Sequence, residues 1–463
     1  MELKLAEIAQ IVESPPMSDS ERRVTGYSID SRTVAPGDLF LAIRGNRADG
    51  HGFIGAAIDR GAVGVLGSDA TAVAGVPAGA VAIVVEETVA ALQALGRHVR
   101  RVSGAKVTAI TGSAGKTTTK EAAAAFLARR YSVIRNRGNL NNHIGLPLSL
   151  LELRHGPEMA VVELGMNHAG EIRTLVGIAE PEVRVWTNVG PVHLEFFSSV
   201  DAIADAKAEI LENARPDHLL VANADDPRVM ARAGRFAGRV VTFGLDASAH
   251  VRATAIVDRG LDGVEARLDT PAGGTRLRSP LVGLGNLSNV LAAIAVAIEF
   301  DVPLDDIVAR AAALRPARHR GELLRLPGGI TLIDDSYNSS PAALKRALET
   351  VKAATGSARK VAVLGEMLEL GSHASRLHEE CGRVAAVTGL DLLIAVGGDP
   401  AAALARAAVD AGMPAHAVLL AGTSDEAARL ALERVRPGDL VLVKGSRGIA
   451  TDRVVQRLTE EFA

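Results

Sequence analysis

The chain has 463 residues, of which 48% are hydrophobic and only 3% aromatic, and its formal net charge is −3. One hydrophobic core rarely serves so long a chain, so we expect two to three domains with cores of small aliphatic side chains. Charges of one sign form no long run, which argues against a nucleic-acid or membrane-surface partner. A single cysteine, Cys381, excludes an intramolecular disulfide. Without a signal peptide or a membrane-spanning run, we expect a cytoplasmic protein that does not insert into membranes. We also expect a monomer, although nothing in the sequence determines the oligomeric state.

Residues 1–104 are predicted to form a small N-terminal α/β domain. Leu5, Ile8 and Ile11 follow helical spacing and predict a first helix. Short apolar runs then predict four strands, with helices at 54–60 and 88–102 between and after them. The predicted strands are 24–29, 39–43, 63–66 and 81–85.

Residues 105–315 are predicted to form a central domain with a mostly parallel sheet. Three apolar runs, 107–111, 159–163 and 183–188, each end in a polar residue. If they are parallel strands, their carboxyl ends share the sheet edge where ligands bind in open α/β folds. Residues 251–255 and 264–268 alternate apolar and polar side chains around Arg259-Gly260, which predicts an added antiparallel hairpin.

The C-terminal domain, residues 316–463, begins after a boundary predicted at 315–317. Its strands and helices alternate regularly, which predicts a Rossmann-like doubly wound unit, although no G-x-G-x-x-G follows any strand. The strands are predicted at 330–333, 361–364, 392–396, 417–420 and 440–443. The predicted fold class is therefore α/β with three domains.

A phosphate-binding loop is predicted between the apolar run 107–110 and an alanine-rich helix at 120–127. Glycines let backbone amides turn toward phosphate oxygens, and the helix N-terminus adds its positive dipole end. Lys116 would reach the outer phosphates and the Thr117 hydroxyl would bind Mg²⁺. One departure is Ile110, which stands where the usual pattern has its first glycine. The alternative interpretation is an ordinary strand-to-helix turn with a surface lysine.

Two further positions suggest metal chemistry. Glu163 ends a predicted strand near the phosphate-binding loop. A carboxylate at that position could bind Mg²⁺ or could cap the following turn. Ser198 and Asp201 predict a helix start, and position 207 falls on that helix's apolar stripe, where the residue is lysine. Burial would lower the pKa of Lys207 and free a neutral amine, which can add CO₂ to become a carbamate. The alternative is a lysine that reaches solvent.

The remaining candidates have equally ordinary explanations. His193 is a lone loop histidine, and such residues are usually only solvated. Asn286 and Asn289 can share a helix face or cap the helix. The segment 334–338 follows a strand end, where ligands gather, and 444–448 fits either an anion site or a tight turn.

Together these motifs resemble the Mur ligase family, ATP-dependent enzymes that lengthen the peptide stem of peptidoglycan precursors. The resemblance covers nearly the whole chain, and its later segments are most similar to the last-acting member. That implies UDP-N-acetylmuramoyl-tripeptide and D-alanyl-D-alanine as small-molecule substrates, with ATP and two Mg²⁺ ions. The matching segments are SIDSR at 28–32, PGDLF at 36–40, DGH at 49–51, GNLNNHIG at 138–145, VHLE at 192–195, DSYN at 335–338 and KGSRG at 444–448.

The resemblance implies a role for each matching residue. Thr117 and Glu163 would bind one Mg²⁺, and His193 with a carbamylated Lys207 the other; Lys116, His193 and Lys207 would be catalytic. The nucleotide would contact Gly112, Ser113, Ala114, Gly115, Lys116, Thr117, Thr118, Asn286, Asn289, Arg320 and Asp335. The other substrates would contact Ser31, Arg32, Asn141, Asn142, Tyr337, Asn338, Lys444, Ser446 and Arg447. Two departures are Gly285, where relatives often have histidine, and 195–198, which lacks a glycine that relatives often place before the serine.

Other assignments stay open from the sequence. The sister ligase that adds the third stem residue is disfavoured by the lack of an Asp-Asn-Pro-Arg segment. Folylpolyglutamate synthetase shares the architecture but not the first domain. A non-enzymatic nucleotide-binding regulator is another alternative. The presence of all four candidate catalytic and metal-binding residues, Lys116, Glu163, His193 and Lys207, argues against it. Both lysine and diaminopimelate are possible at the third stem position.

Overall fold

The computed structural model describes residues 1–15, 21–45, 48–76 and 80–462. In these residues the strands form three successive sheets of four, nine and six strands. The predicted α/β class with three domains is confirmed. Among the described helices, none combines the length and apolarity needed to cross a membrane.

The N-terminal sheet has four parallel strands in the order β1-β2-β3-β4. The strands are β1 (Gly26–Ser28), β2 (Asp38–Ala42), β3 (Gly64–Gly67) and β4 (Val81–Val84), and the helices are α1 (Leu5–Ile11), α2 (Ile54–Asp59), α3 (Ala70–Ala74) and α4 (Thr88–Ser103). Helix α4 buries Leu92, Leu95 and Val99 at helical spacing. It ends at Gly104, whose φ of +68° suits glycine and stops the helix before the next sheet.

The central sheet has the order β13-β12-β11-β10-β9-β8-β5-β7-β6. It is parallel from β6 to β11 and antiparallel from β11 to β13, so the predicted hairpin is correct and carries one additional strand. The strands are β5 (Lys106–Thr111), β6 (Val133–Arg135), β7 (Met159–Glu163), β8 (Val183–Trp186), β9 (Leu219–Asn223), β10 (Arg239–Gly244), β11 (Val251–Asp258), β12 (Val264–Thr270) and β13 (Gly273–Ser279). Strand β5 pairs with both β7 and β8, so the three predicted strand ends do share one edge.

Helices cover both faces of this sheet. Helix α10 is buried along most of its length because Val290, Leu291 and Ile294 face the sheet core together with alanines of α5. The helices are α5 (Lys116–Leu127), α6 (Gly145–Leu151), α7 (Glu171–Ala179), α8 (Val200–Ala208), α9 (Pro227–Ala233), α10 (Leu284–Glu299) and α11 (Leu304–Ala311). Two boundary predictions were wrong. Helix α5 begins at Lys116 rather than at 120, and the cap of α8 is Ser199, whose hydroxyl accepts from the Ala202 amide, rather than Ser198.

The C-terminal sheet has the order β14-β15-β19-β16-β17-β18, with only β14 antiparallel. Its five parallel strands are the predicted ones, within a few residues at each end. The strands are β14 (Glu322–Leu326), β15 (Ile330–Asp335), β16 (Arg359–Gly365), β17 (Leu392–Val396), β18 (Val418–Ala421) and β19 (Asp439–Lys444); the helices are α12 (Pro341–Ala353), α13 (Ala374–Ala386), α14 (Asp399–Asp410), α15 (Ser424–Arg434) and α16 (Asp452–Glu461). Short 3₁₀ helices occur at Gly50–Phe53, Glu152–His155, Glu209–Leu211, Gly260–Asp262, Pro327–Gly329, Gly371–His373, Ala415–Ala417 and Arg447–Ile449.

Candidate active site

A cleft of about 1020 Å³ lies between the central and C-terminal domains. The cleft is lined by the carboxyl ends of strands in the central domain, by the start of α10 and by loops that follow strands of the C-terminal domain. Most of the predicted site residues line it: Ser113, Ala114, Gly115, Lys116, Thr117, Thr118, Asn141, Asn142, Glu163, His193, Asn286, Asn289, Arg320, Asp335, Tyr337, Asn338, Lys444, Ser446 and Arg447. Four predicted residues, Gly112, Lys207, Ser31 and Arg32, are not on its wall.

The loop 112–115 turns between β5 and α5 as the sequence predicted. Gly115 has a φ of +84°, and a Cβ there would lie 2.0 Å from Oδ1 of Asn289. Gly112 would likewise place a Cβ 1.9 Å from Oγ1 of Thr187. Both glycines are therefore required by close packing, and both also have a positive φ that favours glycine.

Strand β8 supplies an anchor for this loop that the sequence analysis did not single out. The Ala114 amide donates to Oδ1 of Asn188 at 2.9 Å, and the Ala114 carbonyl accepts from Nδ2 of Asn188 at 3.0 Å. Thr187 donates to the same carbonyl at 2.7 Å. These side chains fix the conformation of the loop and so position the N-terminus of α5 at the cleft.

Lys116 begins α5 and folds back over the loop. Its Nζ donates to the Gly112 carbonyl at 2.8 Å. Burial lowers the pKa of Lys116, Glu163 opposes that shift, and Arg320 of the C-terminal domain adds to it. Two cations from different domains thus face the same space, an arrangement suited to a highly charged anion between them.

Glu163 at the end of β7 is 2% exposed and fully engaged. One carboxylate oxygen accepts from Oγ1 of Thr117 at 2.8 Å, and the other from Nδ2 of Asn141 at 2.7 Å. Nζ of Lys120 lies 3.9 Å from the same carboxylate. The Asn136 side chain makes two hydrogen bonds with the Glu163 backbone: Nδ2 donates to the carbonyl, and Oδ1 accepts from the amide. Lys120 and Asn136 were not predicted, because no local pattern distinguishes them from ordinary helix and loop residues.

This arrangement fits Mg²⁺ bound together with phosphates. Within the described residues no group of three or more His, Cys, Asp or Glu side chains could hold a metal unaided. Thr117 and Glu163 offer one hydroxyl and one carboxylate oxygen. Mg²⁺ in nucleotide sites typically takes one or two such protein ligands and completes its shell with phosphates and water.

Lys207 lies on α8 and does not line the cleft. It is 1% exposed, and its ammonium has no hydrogen-bond or ion-pair partner in the described part of the chain. Its neighbours on the stripe, Ile203 and Ile210, are fully buried. Burial lowers the pKa of Lys207 well below its usual value, and the charge of Lys116 lowers it further. The side chain is buried as the stripe predicted, in surroundings that favour the neutral amine.

In the C-terminal domain, aromatic and charged groups converge on the cleft. The Arg320 guanidinium lies 4.0 Å from the ring centroid of Tyr337, a cation–π contact. Nζ of Lys444 donates to Oδ2 of Asp335 at 2.6 Å and to the Asn338 carbonyl at 3.0 Å. The Ser446 hydroxyl accepts from the Leu368 amide at 2.9 Å.

Asn286 and Asn289 share one face of α10 at the cleft. Nδ2 of Asn289 donates to Oδ1 of Asn286 at 3.3 Å, and Asn286 donates to the Val282 carbonyl at 2.9 Å. Gly285, where a histidine was expected from the resemblance, lies beside Arg346 of α12; a Cβ at Gly285 would be 3.5 Å from that side chain. Arg346 also lines the cleft.

The N-terminal candidates lie in a different part of the molecule. The Arg32 side chain is 84% exposed and paired with Asp30 at 2.7 Å, which lowers the pKa of Asp30 to about 2. His51, part of the DGH segment, is buried. Its Nδ1 donates to Asp49 at 2.6 Å, and its Nε2 accepts from the Ser68 and Asp69 amides. His51 therefore connects the 49–51 segment to the turn that follows β3, which is a structural role.

Comparison with known proteins places the chain in a family. Models for the Mur ligase family catalytic domain, the Mur ligase middle domain and the Mur ligase glutamate ligase domain match residues 23–125, 110–297 and 319–447. Together with the relatives below, these matches establish that the chain belongs to the Mur ligase family, with a phosphate-binding loop in its central domain.

Within that family, the chain is similar to UDP-N-acetylmuramoyl-tripeptide–D-alanyl-D-alanine ligases. It is 31% identical over 446 residues to the UDP-N-acetylmuramoyl-tripeptide–D-alanyl-D-alanine ligase of Bacillus subtilis, covering 94% of this chain and 93% of the relative. The Escherichia coli enzyme of the same name is 33% identical over 93% of both chains.

Solved structures agree. A MurF crystal structure from Acinetobacter baumannii matches with a TM-score of 0.87 and 30% identity over 99% of both chains. MurF from Thermotoga maritima in complex with ADP matches with a TM-score of 0.80 and 30% identity, over 94% of this chain and 97% of that one. A diaminopimelate ligase structure, at 20% identity and a TM-score of 0.54, shares only the fold.

Proposed function

We propose that this protein is an ATP-dependent, ADP-forming ligase that joins D-alanyl-D-alanine to UDP-N-acetylmuramoyl-tripeptide in cytoplasmic peptidoglycan-precursor synthesis. The observation that carries the proposal is the cleft, where a phosphate-binding loop and a carboxylate of one domain face cations of another. The relatives at 31–34% identity, which match along almost the whole chain, support the substrate assignment.

We assign each domain one substrate class. Residues 1–104 would bind the UDP-sugar peptide, with Ser31 and Arg32 as contacts, and residues 105–315 would bind ATP. Residues 316–463 would bind the incoming dipeptide. The positions of helices and strands support these boundaries. Gly104 lies between α4 and β5, the first strand of the central sheet, and residues 312–321 lie between α11 and β14, the first strand of the C-terminal sheet.

The first chemical step is phosphoryl transfer to the terminal carboxylate of the tripeptide. A carboxylate is a poor electrophile, and transfer depends on positioning and charge neutralisation. Nζ of Lys116 and the backbone amides at the N-terminus of α5 would bind the β- and γ-phosphates. Arg320 approaches from the C-terminal domain and neutralises charge on the opposite side.

The second step is amide formation. The amine of D-alanyl-D-alanine attacks the acyl phosphate, and the tetrahedral intermediate collapses to an amide and phosphate. Because water would hydrolyse the acyl phosphate, the C-terminal domain must close over the cleft. We assign Tyr337, Asn338 and Lys444, which line the cleft, as contacts of the incoming dipeptide.

Two Mg²⁺ ions are part of the proposal. They supply charge neutralisation at the transferred phosphoryl group. Thr117 and Glu163 would hold one ion between the loop and β7. His193 and a carbamylated Lys207 would hold the other. A neutral, unpartnered amine is the form that adds CO₂, and the resulting carbamate reverses the local charge from positive to negative.

A phosphate-release assay with single omissions tests this function. We expect turnover only when ATP, Mg²⁺, UDP-N-acetylmuramoyl-tripeptide and D-alanyl-D-alanine are all present. Tripeptides carrying lysine and diaminopimelate are compared in parallel. Lys116→Ala should abolish turnover, whereas Lys106→Ala, which removes an exposed lysine at the start of β5, should not. Equal turnover with a free third-position amino acid and a dipeptide precursor would instead identify the sister ligase.

A further inference from the structure

Two loops from different domains meet beside the cleft. Residues 193–195 follow β8 in the central domain, and residues 369–371 follow β16 in the C-terminal domain; we call this pair the interdomain latch. Nδ1 of His193 lies 2.5 Å from Oε2 of Glu369, and the Glu195 amide donates to the Glu369 carbonyl at 3.1 Å. Side chain and backbone therefore both connect the two loops.

Packing reinforces the latch. Leu194 contacts the hydrophobic cores of both domains. Gly371 has a φ of +52°, and a Cβ there would lie 3.0 Å from the Glu195 Cα, so the absence of a side chain permits the close approach. His193 and Glu369 themselves have φ values of +55° and +62°, a backbone conformation that is unfavourable for residues with a side chain. Contacts across the domain boundary compensate for that conformation.

The chemistry of the His193–Glu369 contact determines which imidazole nitrogen is free. A carboxylate accepts, so Nδ1 of His193 carries the proton and donates. In the neutral imidazole that metal binding requires, Nε2 then keeps its lone pair and is the nitrogen available to a metal. Histidine ligands in metal sites are commonly oriented in this way by a carboxylate on the other nitrogen, which also raises their basicity. Here that carboxylate comes from a different domain.

We infer that Glu369 is a positioning residue that orients His193 with Nε2 toward the cleft, so that docking of the C-terminal domain completes the second metal site. The inference rests on the proposed function, which makes His193 a ligand. Because binding linkage is reciprocal, occupancy of that site should in turn favour the docked arrangement of the domains. Metal binding and closure would then be coupled through one hydrogen bond.

Mn²⁺ is the probe for this coupling. Wild type and variants are titrated with Mn²⁺ in the presence of a non-hydrolysable ATP analogue, with bound and free metal counted by electron paramagnetic resonance. Small-angle scattering on the same samples reports domain docking. The variants are His193→Ala, Glu369→Ala and Glu369→Gln. The matched control is Glu433→Ala, which removes a carboxylate that pairs with Arg429 on the surface of α15.

We expect two Mn²⁺ sites in wild type and loss of one in His193→Ala. Glu369→Ala should weaken that same site by about 10–100-fold and leave the other unchanged. Glu369→Gln should weaken it less, because an amide oxygen still accepts from Nδ1–H. Compaction should require more Mn²⁺ in Glu369→Ala than in wild type or in Glu433→Ala.

Three results would contradict the inference in distinguishable ways. Wild-type affinity in Glu369→Ala, with the site still lost in His193→Ala, would overturn the positioning role alone. Complete loss of the site in both Glu369 variants would make Glu369 a direct ligand. A single Mn²⁺ site in wild type would contradict the proposed two-metal site, and this inference with it.

Discussion

Replacing Lys207 should separate the stability of the protein from its activity. The Lys207 side chain is 1% exposed and has no hydrogen-bond or ion-pair partner among the described residues, and burial together with the charge of Lys116 lowers its pKa. Methionine has similar length and volume but no charge, so Lys207→Met removes an unfavourable buried polar group and keeps the packing. Without ligands we therefore expect Lys207→Met to be at least as stable as wild type.

The Lys207→Ala variant measures how much the packing of this side chain contributes to stability. It removes three buried methylene groups, each contributing about 0.8 kcal/mol, and leaves a cavity. Lys207→Ala should therefore be roughly 2–5 kcal/mol less stable than Lys207→Met, the usual range for truncating a buried methionine. Both should remain folded, because neither substitution disrupts a helix.

Activity should follow a different order. Loss of one electrostatic stabiliser of a transition state typically costs about 10²–10³-fold in kcat, and we expect that loss in both variants. Lys207→Arg should fail as well, because a guanidinium stays charged and cannot take up CO₂. Nucleotide binding should survive in part, since the loop around Lys116 is unchanged. Acetate added to Lys207→Ala should restore some turnover by replacing the missing carboxylate oxygens.

Urea unfolding and phosphate release on the same preparations measure both effects. Full activity in Lys207→Arg would refute the carbamate. A Lys207→Met variant much less stable than ligand-free wild type would show that the amine makes favourable contacts, contrary to the burial argument.

Three further predictions concern other parts of the molecule. Gly115→Ala should weaken ATP binding at least tenfold, because the new Cβ would clash with Asn289. Gly389→Ala is the control: Gly389 has a similar φ of +80° but open space around it, so the substitution should cost only about 1–2 kcal/mol of stability. Calorimetry measures ATP binding and unfolding in both variants. The pKa of His218 is lowered, first by burial and then by Arg184, so the unfolded chain binds more protons below pH 6.5 and the folded state loses stability there. Urea unfolding at pH 7.5 and 5.5 measures this effect. Between these two pH values His218→Gln should lose less stability than wild type, and an equal loss in the two proteins would contradict the assignment to His218. Scattering should show compaction about residues 315–317 when ATP analogue and tripeptide substrate are added, and no change would count against a mobile C-terminal domain.

The sequence allowed most of the fold to be predicted where hydrophobic periodicity was strong. The strands around β5, β7 and β8 and the five parallel strands of the C-terminal sheet are apolar runs bounded by polar residues, so length and flanking residues identify them. Strands β9 and β10 were not singled out, although β9 is entirely buried. The cap of α8 was misplaced by one residue because Ser198 and Ser199 are equally good caps, and only the backbone geometry distinguishes them.

The candidate site was only partly predictable. Residues in local motifs, such as Lys116 and Thr117, were found from the sequence and do line the cleft. Residues that act through tertiary contacts were not, because Lys120, Asn188 and Glu369 are typical of their local surroundings. Each becomes notable only through a partner from another element, at Glu163, the 112–115 loop and His193 respectively. Long-range partners of this kind leave no periodic pattern in one sequence.

Isotope transfer from the tripeptide carboxylate tests the central claim of an ATP-dependent ligase with an acyl-phosphate intermediate. The terminal carboxylate of UDP-N-acetylmuramoyl-tripeptide is labelled with ¹⁸O, and the reaction with ATP and D-alanyl-D-alanine is analysed by mass spectrometry. We predict that ADP forms and that each phosphate released carries one oxygen from the carboxylate. Amide formation with unlabelled phosphate, or label recovered in AMP, would contradict the account.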